Sequence, residues 1–152
     1  VFLILSRRPD EFRAFFAFNK ALMETDRGLS KAEKEMIVVA TSAENNCQYC
    51  VVAHGAVLRL RTKRPTIADE IAINFRKADL SEREMEMLNF AVKVCNESQK
   101  ITTQDYESLY SCGFTDEDIW DIAAISSFFG MSNRLANFAD MRPNKEFFSM
   151  GR

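Results

Sequence analysis

The sequence predicts an all-α fold, a helical bundle of about seven helices. Three observations carry this: apolar residues recur at helical rather than alternating spacing, helix-start signals return along the whole chain, and convincing strand patterns are missing. Five Gly and three Pro leave little turn chemistry for a sheet. With 152 residues, 47% hydrophobic residues and 13 Phe, the chain can fill a core without a disulfide or metal staple. One domain over 1–152 is the expectation.

The opening "VFLILSRRP" is apolar for five residues before Arg7 and Arg8, too short to span a bilayer and unlike a complete signal peptide. The chain starts at Val, so a removed upstream targeting segment stays open. Pro9, Asp10 and Glu11 make a good first turn, and Phe12, Phe15, Phe16, Leu22 and Met23 continue a first helix that fades near Thr25 to Gly28. Ser30 and Glu33 form a capping box for a second, "EMIVVATSAEN", apolar on nearly all sides and hence central. Asn46 is a natural N-cap for a third beginning at or near Cys47, "CQYCVVAHGAVLRLR". Pro65 with Asp69 and Glu70 starts a fourth through "TIADEIAINF", and Ser81 with Glu84 caps a fifth, "EREMEMLNFAVKVCNES". Thr102 or Thr103 caps a short sixth that Gly113 closes; Thr115 opens a long last helix that Pro143 ends. "LSKAEKEMI" from Leu29 and "LSEREMEML" from Leu80 echo one another, which fits either two related halves or one capping solution used twice.

Net charge is −2 with both signs mixed, so no electrostatic footprint for nucleic acid or an anionic membrane is present. Four Cys, two of them in a C-x-x-C, resemble an intracellular redox or metal protein more than a disulfide framework. A reducing compartment is expected, the cytoplasm first and the mitochondrion if a targeting segment precedes the chain.

The stretch "ENNCQYCVVAHG", Glu44 to Gly55, holds two cysteines and the only histidine. At about 100° per residue, Cys47, Cys50 and His54 fall within an arc of about 60° on one helix face. Cys50 and His54 are an i,i+4 pair, close enough for the imidazole to take or stabilise the thiol proton. Cys47 and Cys50 have the separation at which C-x-x-C disulfides form, and a helix N-terminus favours thiolate. A thiol that attacks a peroxide must be ionised and its leaving oxygen must receive a proton, so a relay group belongs nearby. Glu35 offers one: with Val38, Val39 and Ser42 it lies on the apolar stripe of the central helix. Glu44 is the rival carboxylate, at a helix end. The i,i+4 histidine favours Cys50 as the attacking sulfur and helix-end exposure favours Cys47; both are assigned as catalytic.

Other chemistries fit less well. Zinc would need a fourth ligand beyond Cys47, Cys50 and His54, such as Cys95 or Cys112, yet no second C-x-x-C or H-x-x-x-H supplies one. Haem attachment needs His where Val51 stands, and a thioredoxin motif needs a preceding strand. Buried thiols beside a core histidine remain the bland alternative. Cys95 and Cys112 sit among apolar residues and read as core. Trp120, Phe128, Phe129, Met131 and Phe138 read first as packing, and second as lining for an apolar substrate pocket.

Glu44-x-x-Cys47-x-x-Cys50-x-x-x-His54 resembles the signature of the AhpD-like, or carboxymuconolactone decarboxylase, superfamily, in particular its peroxidase-related group. The match is strongest from Leu29 to Leu60, a catalytic core of about 29–62, and "NRLANFADMRPNKEF" resembles the C-terminal end of that group. The resemblance implies an all-helical AhpD-like bundle that assembles as a homo-oligomer, often a trimer or hexamer. It implies reduction of alkyl or organic hydroperoxides through a Cys47–Cys50 disulfide, with electrons from a protein dithiol or lipoyl group and without metal or cofactor. Carried over, Cys50 is the peroxide-attacking thiolate, Cys47 the resolving thiol, and His54 and Glu35 the proton relay. The family's glutamate twelve residues before the first cysteine falls on Glu35. Tyr49 stands where AhpD itself has a second histidine, and the distantly related sestrins also have a tyrosine there; Tyr49 and the rival carboxylate Glu44 are possible further members of the site. Two other classes lie within the superfamily: a decarboxylase using acid–base residues on a small cyclic acid, against which the intact C-x-x-C argues, and a non-catalytic redox-regulatory or interaction module. Both thiols together with His54 and Glu35 favour an enzyme.

Overall fold

The structure, a computed structural model, describes residues 5–152; the start of the opening apolar run lies outside them. Eight α-helices, seven of them of substantial length, and no strands are found among the described residues. They are α1 (Pro9–Met23), α2 (Lys31–Glu44), α3 (Gln48–Thr62), α4 (Ile67–Asn74), α5 (Glu82–Glu97), α6 (Thr103–Ser111), α7 (Asp116–Phe138) and a short α8 (Glu146–Ser149). The sequence reading missed α8, which is a single turn. Two hydrogen bonds from the buried Arg59 hold it on α3, to the carbonyls of Phe147 at 2.6 Å and Met150 at 2.8 Å.

The capping boxes form as their spacing requires. Ser30 accepts from the Glu33 N–H while the Glu33 carboxylate accepts from the Ser30 N–H, and Ser81 with Glu84 does the same. The two echoing starts also touch, since Arg83 Nε donates to Glu33 Oε1 at 3.0 Å. Every residue of α2 from Lys34 to Ser42 is buried, and this helix packs against α3, α4, α5 and α7. Lys34, charged and central, is accommodated because its ammonium donates to the carbonyls of Leu22 and Thr25, each at 2.8 Å, where α1 ends and carbonyls lack helical partners.

Three boundaries differ from the sequence reading. Asn46 does not cap α3. It takes a left-handed φ of 51°, with the N–H of Cys47 donating to Ser42 O and that of Asn46 to Ala43 O, both at 2.9 Å. That is a Schellman turn ending α2, a role asparagine tolerates, and it leaves Cys47 as the N-cap of α3. The same turn, with Asp140 at φ 47°, stops α7 at Phe138, ahead of Pro143. The fourth helix starts at Ile67, beyond Pro65, with Thr66 at its cap.

The core has two parts. The larger gathers Met36 to Val39, Leu58, Ile71, Leu88, Ile122, Ile125 and their neighbours, while a smaller cluster contains Cys47, Cys50, Ala136 and Met141. Phe128 and Phe129 are buried as expected, but Trp120, Met131 and Phe138 are exposed, which overturns their reading as packing. No helix among the described residues is long and apolar enough to cross a membrane.

Candidate active site

The tight turn at Asn46 brings α3 back along α2, and the site is built from the end of one helix and the start of the other. The thiols of Cys47 and Cys50 are free and the two residues approach to 3.4 Å. Neither is open to solvent: Cys47 is 0% exposed and Cys50 3%, so the helix-end exposure expected of Cys47 is not found. Its N–H is folded into the turn that closes α2, and its side chain is covered by Cys50, Ala136 and Met141.

The two thiols are unequal. The Cys47 thiol is lowered to about 6, first because the Cys50 thiol donates to it; burial opposes this, while the N–H groups of Cys50 and Tyr49 and the Asn133 amide add to it. Unpaired N–H groups at a helix N-terminus thus converge on the N-cap sulfur. Cys50 is pushed up, chiefly because it supplies that hydrogen bond, then by burial and by the charge on Cys47; Asn133 and Ser132 pull the other way. Between the two midpoints the pair carries one proton.

Glu35 and His54 meet across α2 and α3, with Oε2 2.7 Å from Nδ1. A carboxylate accepts, so Nδ1 carries the hydrogen and Nε2 is left as the exchangeable nitrogen. The Phe129 ring meets the imidazole edge-on at 4.9 Å and fixes its plane. Glu35 is buried and His54 half-buried. The relay nitrogen therefore lies one helical turn beyond Cys50.

The other named residues divide. Tyr49 is half-buried, its phenol raised by burial and then by the neighbouring Cys50 and Cys47. With Phe15, Ser132, Leu135, Ala136 and Met141 it lines a small, partly open pocket of about 10 Å³, room for about one water. Glu44 is exposed, and its carboxylate accepts from Asn96 at 2.8 Å. Cys95 lies 3.2 Å from the Asn45 amide, its thiol raised by burial, and the carbonyl of half-buried Cys112 accepts from Arg83 at 3.1 Å. No group of three or more His, Cys, Asp or Glu among the described residues is placed to hold a metal ion.

Asn133, Ser132 and Asn45 were missed by the sequence reading. A signal existed: Ser132 and Asn133 interrupt the apolar run "FFGMSNRLANF", and a polar pair on the buried stripe of a helix needs a partner.

Residues 9–73 match the carboxymuconolactone decarboxylase family. The solved alkylhydroperoxidase AhpD core of a peroxidase-related protein from Ralstonia eutropha JMP134 is 62% identical, with a TM-score of 0.98 over 99% of this chain and 80% of that one. A peroxidase-related protein from Silicibacter sp. TM1040 is 41% identical, with a TM-score of 0.94 over 97% of this chain and 78% of that one. A debrominase, 20% identical with a TM-score of 0.76 over 94% of this chain and 76% of that one, shares the fold. No functionally curated protein matches.

Proposed function

Since the chain belongs to the AhpD-like, carboxymuconolactone decarboxylase superfamily, we propose that it is a thiol-dependent reductase of organic hydroperoxides that cycles Cys47 and Cys50 between dithiol and disulfide. One observation carries the reading: an unequal, hydrogen-bonded thiol pair lies on the same short helix segment as an imidazole already oriented by a buried carboxylate. That supplies a nucleophile, a resolving thiol and a proton donor within two helical turns.

In the proposed cycle the Cys47 thiolate attacks one peroxide oxygen and the O–O bond breaks. The proton released when Cys47 ionises is held on His54 Nε2; the alkoxide takes it from that imidazolium and leaves as alcohol, and Cys47 becomes a sulfenic acid. Cys50 then attacks the Cys47 sulfur, the S–O bond breaks, and the Cys50 proton departs with the hydroxide as water. The two electrons that reduce the peroxide come from the two sulfurs, and an external dithiol or lipoyl group restores them by exchange. Glu35 holds the imidazole in the tautomer that exposes Nε2. The resemblance gives the attack to Cys50; the ionisation order favours Cys47, because the thiolate is the nucleophile. Tyr49 packs against the cluster of Cys47, Cys50, Ala136 and Met141, and Glu44, turned to Asn96, takes no part. The exposed Trp120, Met131 and Phe138 suit a homo-oligomer, a trimer or hexamer.

Stopped-flow mixing of the reduced protein with cumene hydroperoxide tests this. One disulfide per chain is expected, with a dimedone-trapped sulfenic acid on Cys47 in Cys50→Ser and no trapped product in Cys47→Ser. Trapping on Cys50 in Cys47→Ser would return the attack to Cys50. Absence of oxidation in the wild type would leave the non-catalytic module as the better reading.

A further inference from the structure

The orientation of one buried amide follows from a backbone carbonyl. Thr41 O can only accept, so the Asn45 side chain, 2.9 Å away, must turn its NH2 end toward it. The same NH2 end lies 3.1 Å from Asn133 Oδ1, which fixes the carbonyl end of Asn133 toward Asn45. The NH2 end of Asn133 therefore points the other way. One of its hydrogens goes to Ser42 Oγ at 2.9 Å, and the carbonyl of that same Ser42 accepts from the Cys47 N–H. The other is left on the thiol side, where Ala136, one turn along the same face of α7, packs against Cys47 and Cys50 and the amide lowers both thiols.

Asn133 is 0% exposed, as is Cys47. A neutral thiol is a poor acceptor and would be packed equally well by a leucine, whereas a buried amide is worth its desolvation only against a strong partner. A thiolate is such a partner, and a donor aimed at it from a dry site strengthens the charged form. We propose that Asn133, delivered from α7 and oriented by Asn45 and Thr41, is the side-chain donor that holds the first thiolate of the Cys47–Cys50 pair. The inference deepens the peroxidase reading and rests on it for its purpose, but not for its test. The donor acts on the reduced state alone, because a disulfide carries no charge to stabilise.

The test is a pH titration of thiolate ultraviolet absorbance in the fully reduced protein, with no peroxide present. The wild type is expected to show a first midpoint near about 6. Asn133→Leu, which keeps the branching of the side chain and removes the donor, should raise that midpoint by about one unit or more, a tenfold smaller ionisation constant. Ser126→Ala on the same helix, which loses only a bond to the Ile122 carbonyl, should leave the midpoint in place. An unchanged midpoint in folded Asn133→Leu overturns the proposal, as does a wild type whose thiols both stay protonated up to pH 8. If Asn133→Leu fails to fold, the wild-type protein decides: the Asn133 side-chain amide protons should shift in NMR spectra with the thiol midpoint, and amide signals that do not respond there overturn the proposal. Failure of the peroxide assay leaves these titrations readable, and an unmoved midpoint leaves the peroxide assay readable.

Discussion

On one side of α7, Ser126 and Asn133 are sealed from solvent, while on the other Trp120 is 69% and Phe138 90% exposed. An ordinary surface helix does the reverse. The buried side works because each polar group is partnered: Ser126 donates to the Ile122 carbonyl, Asn133 bridges Ser42 and Asn45, and no buried side-chain nitrogen or oxygen among the described residues lacks a partner. The exposed side carries an apolar groove of about 480 Å³ between Phe18, Trp120, Phe128 and Met131. Of the buried polar groups Asn133 lies on the thiol side and Ser126 only closes on its own helix, while the outer side leaves an apolar surface uncovered.

The largest test of that contrast is chemical. Cys47→Ser or Cys50→Ser should abolish disulfide formation on adding hydroperoxide, read by free-thiol counting, with folding retained by circular dichroism. Next is Phe129→Ala, on the buried side, which removes a ring packed on both Phe128 and His54. It should cost about 3–5 kcal/mol in denaturant melts and slow peroxide turnover as well. His54→Gln should slow oxidation about a hundredfold. Glu35→Gln should have a smaller effect, since an amide still accepts from Nδ1. The smallest effect is on the outer side: Trp120→Ala should change monomer stability by less than about 0.5 kcal/mol. If α7 packs against a second copy there, the same change should show as a lower mass in sedimentation instead. A large loss of monomer stability from Trp120→Ala would erase the distinction between the two sides.

Much of this was legible in the residues. Capping boxes at Ser30 and Ser81 are local, satisfied within four residues, so their chemistry is readable in order along the chain. The face shared by Cys47, Cys50 and His54 follows from the 3.6-residue turn, and Glu35 could be proposed because burial of α2 showed in its composition. What escaped depends on long-range packing. Asn46 as the end of α2 rather than the start of α3 is decided by a left-handed φ, which asparagine adopts at a helix end as readily as it adopts the extended φ of an N-cap. Asn133, 91 residues from Ser42, has no local mark beyond its polarity. The exposure of Trp120 and Phe138 was hidden because helical spacing says that residues share a face and not which way it points.

The most direct measurement is the pH dependence of single-turnover oxidation by cumene hydroperoxide. A thiol whose midpoint is lowered to about 6 is ionised above that pH and protonated below it. The rate of disulfide formation should therefore be nearly flat from pH 7 to 8 and fall about tenfold per unit well below pH 6, with no disulfide formed at any pH in Cys47→Ser. A rate that keeps rising up to pH 9, as for an ordinary thiol, or a disulfide that never forms, would contradict the account.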